Sequence, residues 1–278
     1  MSVLPICITG EPVLHRVADP VESFDSTLRD LVADMIETMH AAPGVGLAAP
    51  QVGVGLQLFV WSYRGGGAFD RRYKDILGLD DGAARGYNSA MSGVVVNPTL
   101  ELVWDNDGVG AILPTQPDMT NESEGCLSVP GVQYPLRRAL GAILRGYDAD
   151  GNVVRVAARG WLARIFQHEY DHLRGTLYVD RLDTPYRESS RAHVAERGWG
   201  IPGCTWTPGG ASLAHPSQGP CMYAEVSGPR SPANGSSCAR PPSLRVSGPS
   251  RPRAGTPGRA NAICLCRADG KAEPQYGR

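Results

Sequence analysis

The sequence predicts an α+β fold, with short antiparallel or mixed sheets packed around a central helix carrying a His-Glu-x-x-His pattern. Three observations point there. Two segments repeat apolar residues at helical spacing, short apolar runs of strand length lie on both sides of them, and the strand-like runs are joined by hairpin turns rather than regular βαβ crossovers. A chain of 278 residues, 42% hydrophobic, is long enough for one sizeable core with an appendage.

The first helix is expected from Thr27 to Met39. Leu28, Leu31, Val32, Met35, Ile36 and Met39 recur there with helical period, and Ser26 or Asp25 can cap its start. It runs into the glycine-bearing loop APGVGLAAPQVGVG and then LQLFVW, apolar, aromatic and short enough for a strand. Residues 62–92 are Gly-rich and weakly patterned, which predicts a long surface loop. Val94 to Asn97 resume a buried strand, whose pairing Pro98 should limit. GAILRGYDADGNVVRVAARG reads as two strands around a DADGN turn. The second helix, WLARIFQHEYDHLRG, should close at Gly175 in a left-handed cap. Along it Trp161, Ile165, His168 and His172 fall on one face, so the histidines extend an apolar stripe inward.

Net charge is −1, but residues 1–210 carry 18 Lys+Arg against 25 Asp+Glu, whereas residues 211–278 carry 9 against 3. That last stretch holds 10 Pro and 8 Gly, lacks periodicity, and repeats VSGP at 226 and 246. Such a composition buries too little apolar surface to offset chain entropy, so a disordered tail is expected. A shifted reading frame in GC-rich DNA yields the same kind of end. The division expected is a catalytic domain at 1–185, its extension at 186–210, and the tail at 211–278. The start, MSVLPICITG, does not read as a signal peptide, and no run approaches the roughly 20 apolar residues that cross a bilayer, so a soluble cytoplasmic protein is expected. Seven irregularly spaced cysteines favour reduced thiols or metal ligation over a disulfide frame.

The chemistry starts at QHEYDHLRG. One helical turn separates His168 from His172, so both imidazoles can reach one cation, while Glu169 lies about 100° around the helix, where a general base for water belongs. A solvated helix with incidental His and Glu is the plain alternative. The common zinc peptidases fit poorly: Tyr178 stands where a metzincin needs its third histidine, and no methionine lies between Met119 and Met222 to make a Met-turn. Upstream, the best third ligand is Cys126 in EGCLSVP, although a lone cysteine is more often a buried small hydrophobe. Gly125 permits close backbone approach there, and a backbone N–H such as that of Leu127 could point at a developing oxyanion. The small-residue loop GVGLAAPQ, residues 44–51, supplies Gln51 as a neutral donor and lacks the signatures of a phosphate loop.

GVGLAAPQ, EGCLS and QHEYDH, in that order, resemble the three signature motifs of peptide deformylases, over roughly residues 5–185. RGWGIPGCTWTPGG is similar, more weakly, to the ending of some longer bacterial members. The resemblance implies an α+β metalloenzyme that hydrolyses the N-formyl group from formylmethionine of nascent proteins. It implies Cys126, His168 and His172 as ligands of one divalent ion, Fe(II) first, with Zn(II), Ni(II) or Co(II) also accepted. It further implies Glu169 as acid/base, Gln51 and the Leu127 N–H as oxyanion donors, and Val45 and Gly46 as substrate contacts. Implied partners are N-formylmethionyl nascent peptides and, transiently, the ribosome, with a monomeric protein and no membrane or specific nucleic-acid partner. The C-terminal ribosome-binding helix of some members does not transfer to this tail, which reads first as disordered ballast, with non-specific attraction of RNA by its excess of positive charge as the alternative. Rival readings are a zinc metallopeptidase and a catalytically silent metal-binding relative.

Several neighbours carry expectations of their own. Glu124 either pairs with Arg137 or Arg138 or is an ordinary surface carboxylate, and Asp171 either braces the site or lies on the helix surface. Arg164 stands where many members place an apolar residue of the methionine pocket, its stem lining the pocket and its head in water. The loop at 62–92 and an insertion before EGCLS can reshape the cleft mouth. His15, His40, His193, His215, Cys264 and Cys266 lack ligand partners.

Overall fold

The computed structural model describes residues 2–42, 44–64, 90–103, 122–210, 213–215 and 219–221. In chain order these form β1 (Ile6–Cys7), α1 (Ser26–Ala41), β2 (Gly46–Ala48), β3 (Leu58–Tyr63), β4 (Met91–Val103), β5 (Ser123–Cys126) and β6 (Val129–Pro135). There follow β7 (Gly141–Tyr147), β8 (Val153–Arg159), α2 (Gly160–Leu173), α3 (Tyr186–Glu196), β9 (Thr205–Trp206), β10 (Leu213–His215) and β11 (Gly219–Cys221). The strands make three antiparallel sheets, ordered β1-β9-β10-β11, β2-β3-β4-β7-β8 and β5-β6. The α+β class and its hairpins are as expected.

Period-two alternation in β3 explains the layering. Leu58 and Val60 face the α1 side with Met35, Leu47 and Val96, whereas Phe59 and Trp61 face the α2 side with Ala163 and Phe166. The five-stranded sheet thus separates the two helices, and LFVW is apolar throughout because both faces are covered. α1 starts at Asp25, whose side chain accepts the Leu28 N–H at 3.1 Å, which decides between the two candidate caps. At the end of α2, Gly175 has φ 69° and donates to the His172 carbonyl at 3.1 Å, and a Cβ there would lie 2.7 Å from the Arg16 backbone.

Three features differ from the sequence reading. β4 continues through Pro98 to Val103 because its register breaks between Val96 and Thr99. At the break Asn97 adopts φ 50°, and its side chain takes over hydrogen bonding by accepting from Val21 N at 2.8 Å and donating to Val21 O at 2.9 Å. The expected loop at 62–92 is trimmed at both ends, where Ser62 pairs with Ser92 and Tyr63 with Met91; residues 65–89, and 104–121 before EGCLS, lie outside the described residues. Nor is α2 one-sided, since Arg164, Gln167 and Asp171 are as buried as the apolar stripe. Of the tail, β10 and β11 pair within the β1 sheet, and the rest lies outside the described residues. No described helix is long and apolar enough to cross a membrane.

Candidate active site

The thiol of Cys126, at the end of β5, meets the two imidazoles of α2. Cys126 Sγ is 3.3 Å from His172 Nε2, and one ligand atom from each of Cys126, His168 and His172 lies within 4.8 Å of the others, all three residues being buried. Glu124 Oε2 holds His168 Nδ1 at 3.0 Å, which leaves Nε2 of that ring for the cluster. Burial, followed by the charges of His168 and Arg138, pushes His172 well below the usual histidine value, so it is neutral with a free lone pair. Burial pushes the Cys126 thiol far up against the opposing Ser128 N–H; a thiolate here needs a cation beside it. One sulfur and two nitrogens at this spacing fit a single transition-metal ion.

The other expected residues surround this trio. Gln51 Oε1 accepts the Ala48 N–H at 2.8 Å, which turns Nε2 toward Cys126 Sγ (3.6 Å) and Ser128 Oγ (3.4 Å). Leu127 follows Cys126 in the chain and is buried, while half-buried Val45 packs on the apolar cluster that includes Trp161 and Ile165. Gly46 lies directly against Glu169: a Cβ at that position would be 2.6 Å from Glu169 Cδ and nearer still to Oε1. Burial, then the charge of Glu124, pushes the Glu169 carboxyl well above the usual carboxylate range, and its Oε2 has no hydrogen-bond partner among the described residues.

A carboxyl whose pKa rises on folding stabilises the fold below its unfolded value, near 4.3, and loses that contribution as pH rises through the folded value. At pH 7 without metal, Glu169→Gln is therefore expected to melt above wild type. Thermal unfolding in chelator as a function of pH checks this, and the gap between the two should widen from acid toward neutral.

Behind the histidines lies a buried ionic cluster. Glu124 is fully buried and takes both Arg138 Nε and Nη2 at 2.9 Å, while Arg137 is exposed. Burial alone would raise the Glu124 carboxyl, but Arg138, the His168 hydrogen bond and Arg164 hold it well below its ordinary value. Asp171 bridges Arg138 and Arg181 at 2.6 Å each, which places it in the bracing role. The expectation for Arg164 is corrected. Its head is not in water: Nη1 donates to Glu124 Oε1 and to the Leu136 carbonyl, both at 2.6 Å. Three contributors were not foreseen. Ser128 donates its N–H to Cys126 Sγ at 3.4 Å, Tyr178 lies 5.8 Å ring to ring from His168, and the Trp206 indole donates to the Leu127 carbonyl at 2.8 Å. Adjacency within EGCLS could have flagged Ser128; the other two carry no local signal.

Residues 3–188 match the family described as polypeptide deformylase. A peptide deformylase of Mycolicibacterium paratuberculosis (strain ATCC BAA-968 / K-10) is 44% identical over 214 residues, 75% of this chain and 96% of the relative. One from Tropheryma whipplei (strain TW08/27) is 43% identical over 214 residues, 74% of this chain and 94% of the relative. The crystal structure of peptide deformylase from Ehrlichia chaffeensis superposes with a TM-score of 0.55 at 31% identity, covering 71% of this chain and 97% of that one. With the three motifs folded around one thiol and two imidazoles, this chain belongs to the polypeptide deformylase family.

Proposed function

We propose that the protein hydrolyses the N-formyl group from N-terminal formylmethionine of newly made proteins, releasing formate and a free amine. The observation that carries this reading is the buried convergence of Cys126, His168 and His172 within 4.8 Å, with the buried Glu169 carboxyl near enough to act on the thiol's charge. Such a substrate emerges in the cytoplasm, which is where we place the protein, as a monomer with at most transient ribosome contact. Residues 1–185 form the catalytic unit, with 186–210 as its extension and 211–278 as a tail.

Cys126, His168 and His172 would hold one divalent ion, proposed as Fe(II) from the family resemblance, since thiolate and imidazole donors accept Zn(II), Ni(II) and Co(II) equally. When bound, the ion supplies a Lewis acid that polarises the formyl oxygen and makes water acidic enough to deprotonate near neutral pH. Glu169 takes the proton from the attacking water and returns it to the leaving amine nitrogen, and its raised pKa suits both halves of that exchange. Gln51 Nε2 and the Leu127 N–H donate to the oxygen that gains negative charge. The Ala48 N–H holds the other end of the Gln51 amide, which fixes the direction of Nε2. Val45 and Gly46 receive the substrate backbone beside Glu169.

Protein prepared anaerobically with Fe(II) is expected to release one formate per formyl-Met peptide consumed and to leave internal peptide bonds intact. Chelation should abolish the signal and added Fe(II) restore it. Internal cleavage without formate would instead establish a peptidase, and metal binding without either product a silent relative. Metal analysis of the same sample tests the choice of Fe(II).

A further inference from the structure

The family match ends at residue 188, yet Trp206 reaches back to the centre of the site. Its indole Nε1–H donates to the Leu127 carbonyl at 2.8 Å, and the other end of that same peptide unit, the Ser128 N–H, donates to Cys126 Sγ at 3.4 Å. One rigid amide thus joins the indole to the sulfur. The next peptide repeats the arrangement: Thr9 N donates to the Ser128 carbonyl at 2.8 Å, and the Val129 N–H faces the same sulfur. Thr9 is in turn held by the C-terminal segment, its carbonyl accepting from Gly200 N at 3.0 Å, while Ile8 N donates to Cys204 O at 2.9 Å. β9 completes the strap by pairing Trp206 with Ile6 and Thr205 with Cys7.

We propose that Trp206 is a positioning residue which acts through the Leu127–Ser128 peptide on the Cys126 sulfur, so that residues 199–206 tune the metal ligand from beyond the residues the family model matches. Two physical effects combine. A carbonyl already accepting a hydrogen bond polarises its amide, which strengthens the N–H donation at the far end. A carbonyl anchored at 2.8 Å also keeps the peptide plane from rotating that N–H away from the sulfur. An N–H···S bond withdraws charge from a ligating thiolate and fixes its direction, and loss of comparable outer partners costs roughly 10–100-fold in metal affinity. Trp206 also packs against both the Leu127-containing and the Cys126-containing apolar clusters, so the test must separate donor from ring.

This inference rests on the trio being a metal site, and Co(II) serves as the probe in the full-length chain. Trp206→Phe keeps an aromatic ring and removes the donor. Trp206→His keeps a ring N–H, because imidazole Nε2 stands two bonds from Cγ as indole Nε1 does, and removes the larger ring. The donor role predicts about tenfold weaker Co(II) binding for Trp206→Phe, with the sulfur-to-Co(II) charge-transfer band shifted to longer wavelength. It predicts recovery of most of both changes in Trp206→His, even though that variant loses more packing and should melt lower than Trp206→Phe. Wild-type affinity and band position in Trp206→Phe would overturn the inference, as would equal weakening in both variants, which marks a packing role alone. A wild-type chain that binds no Co(II) would sink the metal site together with this inference. Wild type that binds Co(II) and releases formate beside an unaltered Trp206→Phe would sink only the inference.

Discussion

Gly46→Ala is expected to lower the rate of formate release about a hundredfold while the protein stays folded and metal-loaded. The added Cβ would stand 2.6 Å from Glu169 Cδ, against roughly 3.5 Å for an unstrained carbon pair, so the carboxylate must retreat by about 1 Å. An exposed glutamate would swing aside at little cost, but Glu169 is only 1% exposed, so its retreat presses on close-packed neighbours. Displacement by this distance in a positioned catalytic group costs on the order of 10²-fold. β2 itself should persist, because Gly46 pairs with Trp61 through its backbone and alanine leaves that ladder intact. Steady-state kinetics normalised to bound metal measures the loss. The double substitution Gly46→Ala with Glu169→Asp supplies the control: a carboxylate one methylene shorter relieves the contact, so the combined loss should fall short of the product of the two single losses. Full multiplication would show that Gly46 acts independently of Glu169.

Two members of the trio were legible from local geometry, whereas Cys126, 46 residues from His172, was assigned through the resemblance of the three motifs taken together. Helical periodicity fixes where His168 and His172 point whatever surrounds them, and EGCLS places the thiol and its backbone donors within three residues. What failed was supplied from far along the chain. Arg164 was assigned to a pocket wall from its place on the helix; the spacing gives its direction but not its partner, and Glu124 comes from a strand 40 residues earlier. Pro98 was expected to limit β4, and the strand survives because Asn97 finds Val21, 76 residues away. Trp206 stands in a segment with no helical or strand pattern, and only the fold brings its indole to Leu127. For the same reason the α+β class was secure while strand limits shifted: alternation and turn residues specify that a hairpin exists, whereas its length depends on what covers each end.

Glu124→Gln is expected to destabilise the fold by about 3–5 kcal/mol at pH 7, measured by denaturant unfolding, and to weaken metal retention as well. The change is nearly isosteric, so the loss is one of charge. Arg138 and Arg164 both donate to this carboxylate in a region closed to water; an amide removes the charge they share, leaving Arg138 with Asp171 and Arg164 with the longer contact to Glu122. His168 loses as well, because an amide donating its NH2 to Nδ1 would favour the opposite tautomer and leave the proton on the Nε2 that faces the metal. The sign of the pH dependence separates this account from a simple packing defect. With its pKa held well below the unfolded value, Glu124 contributes its full stabilisation above about pH 4.3 and loses it as pH falls through the folded value. Wild type should therefore approach Glu124→Gln in stability as the solution becomes strongly acidic, while an energy gap that ignores pH would place the damage in packing rather than charge. Arg164→Met should cost less than Glu124→Gln, since it leaves Glu124 paired with Arg138 and removes a buried cation together with part of its compensation.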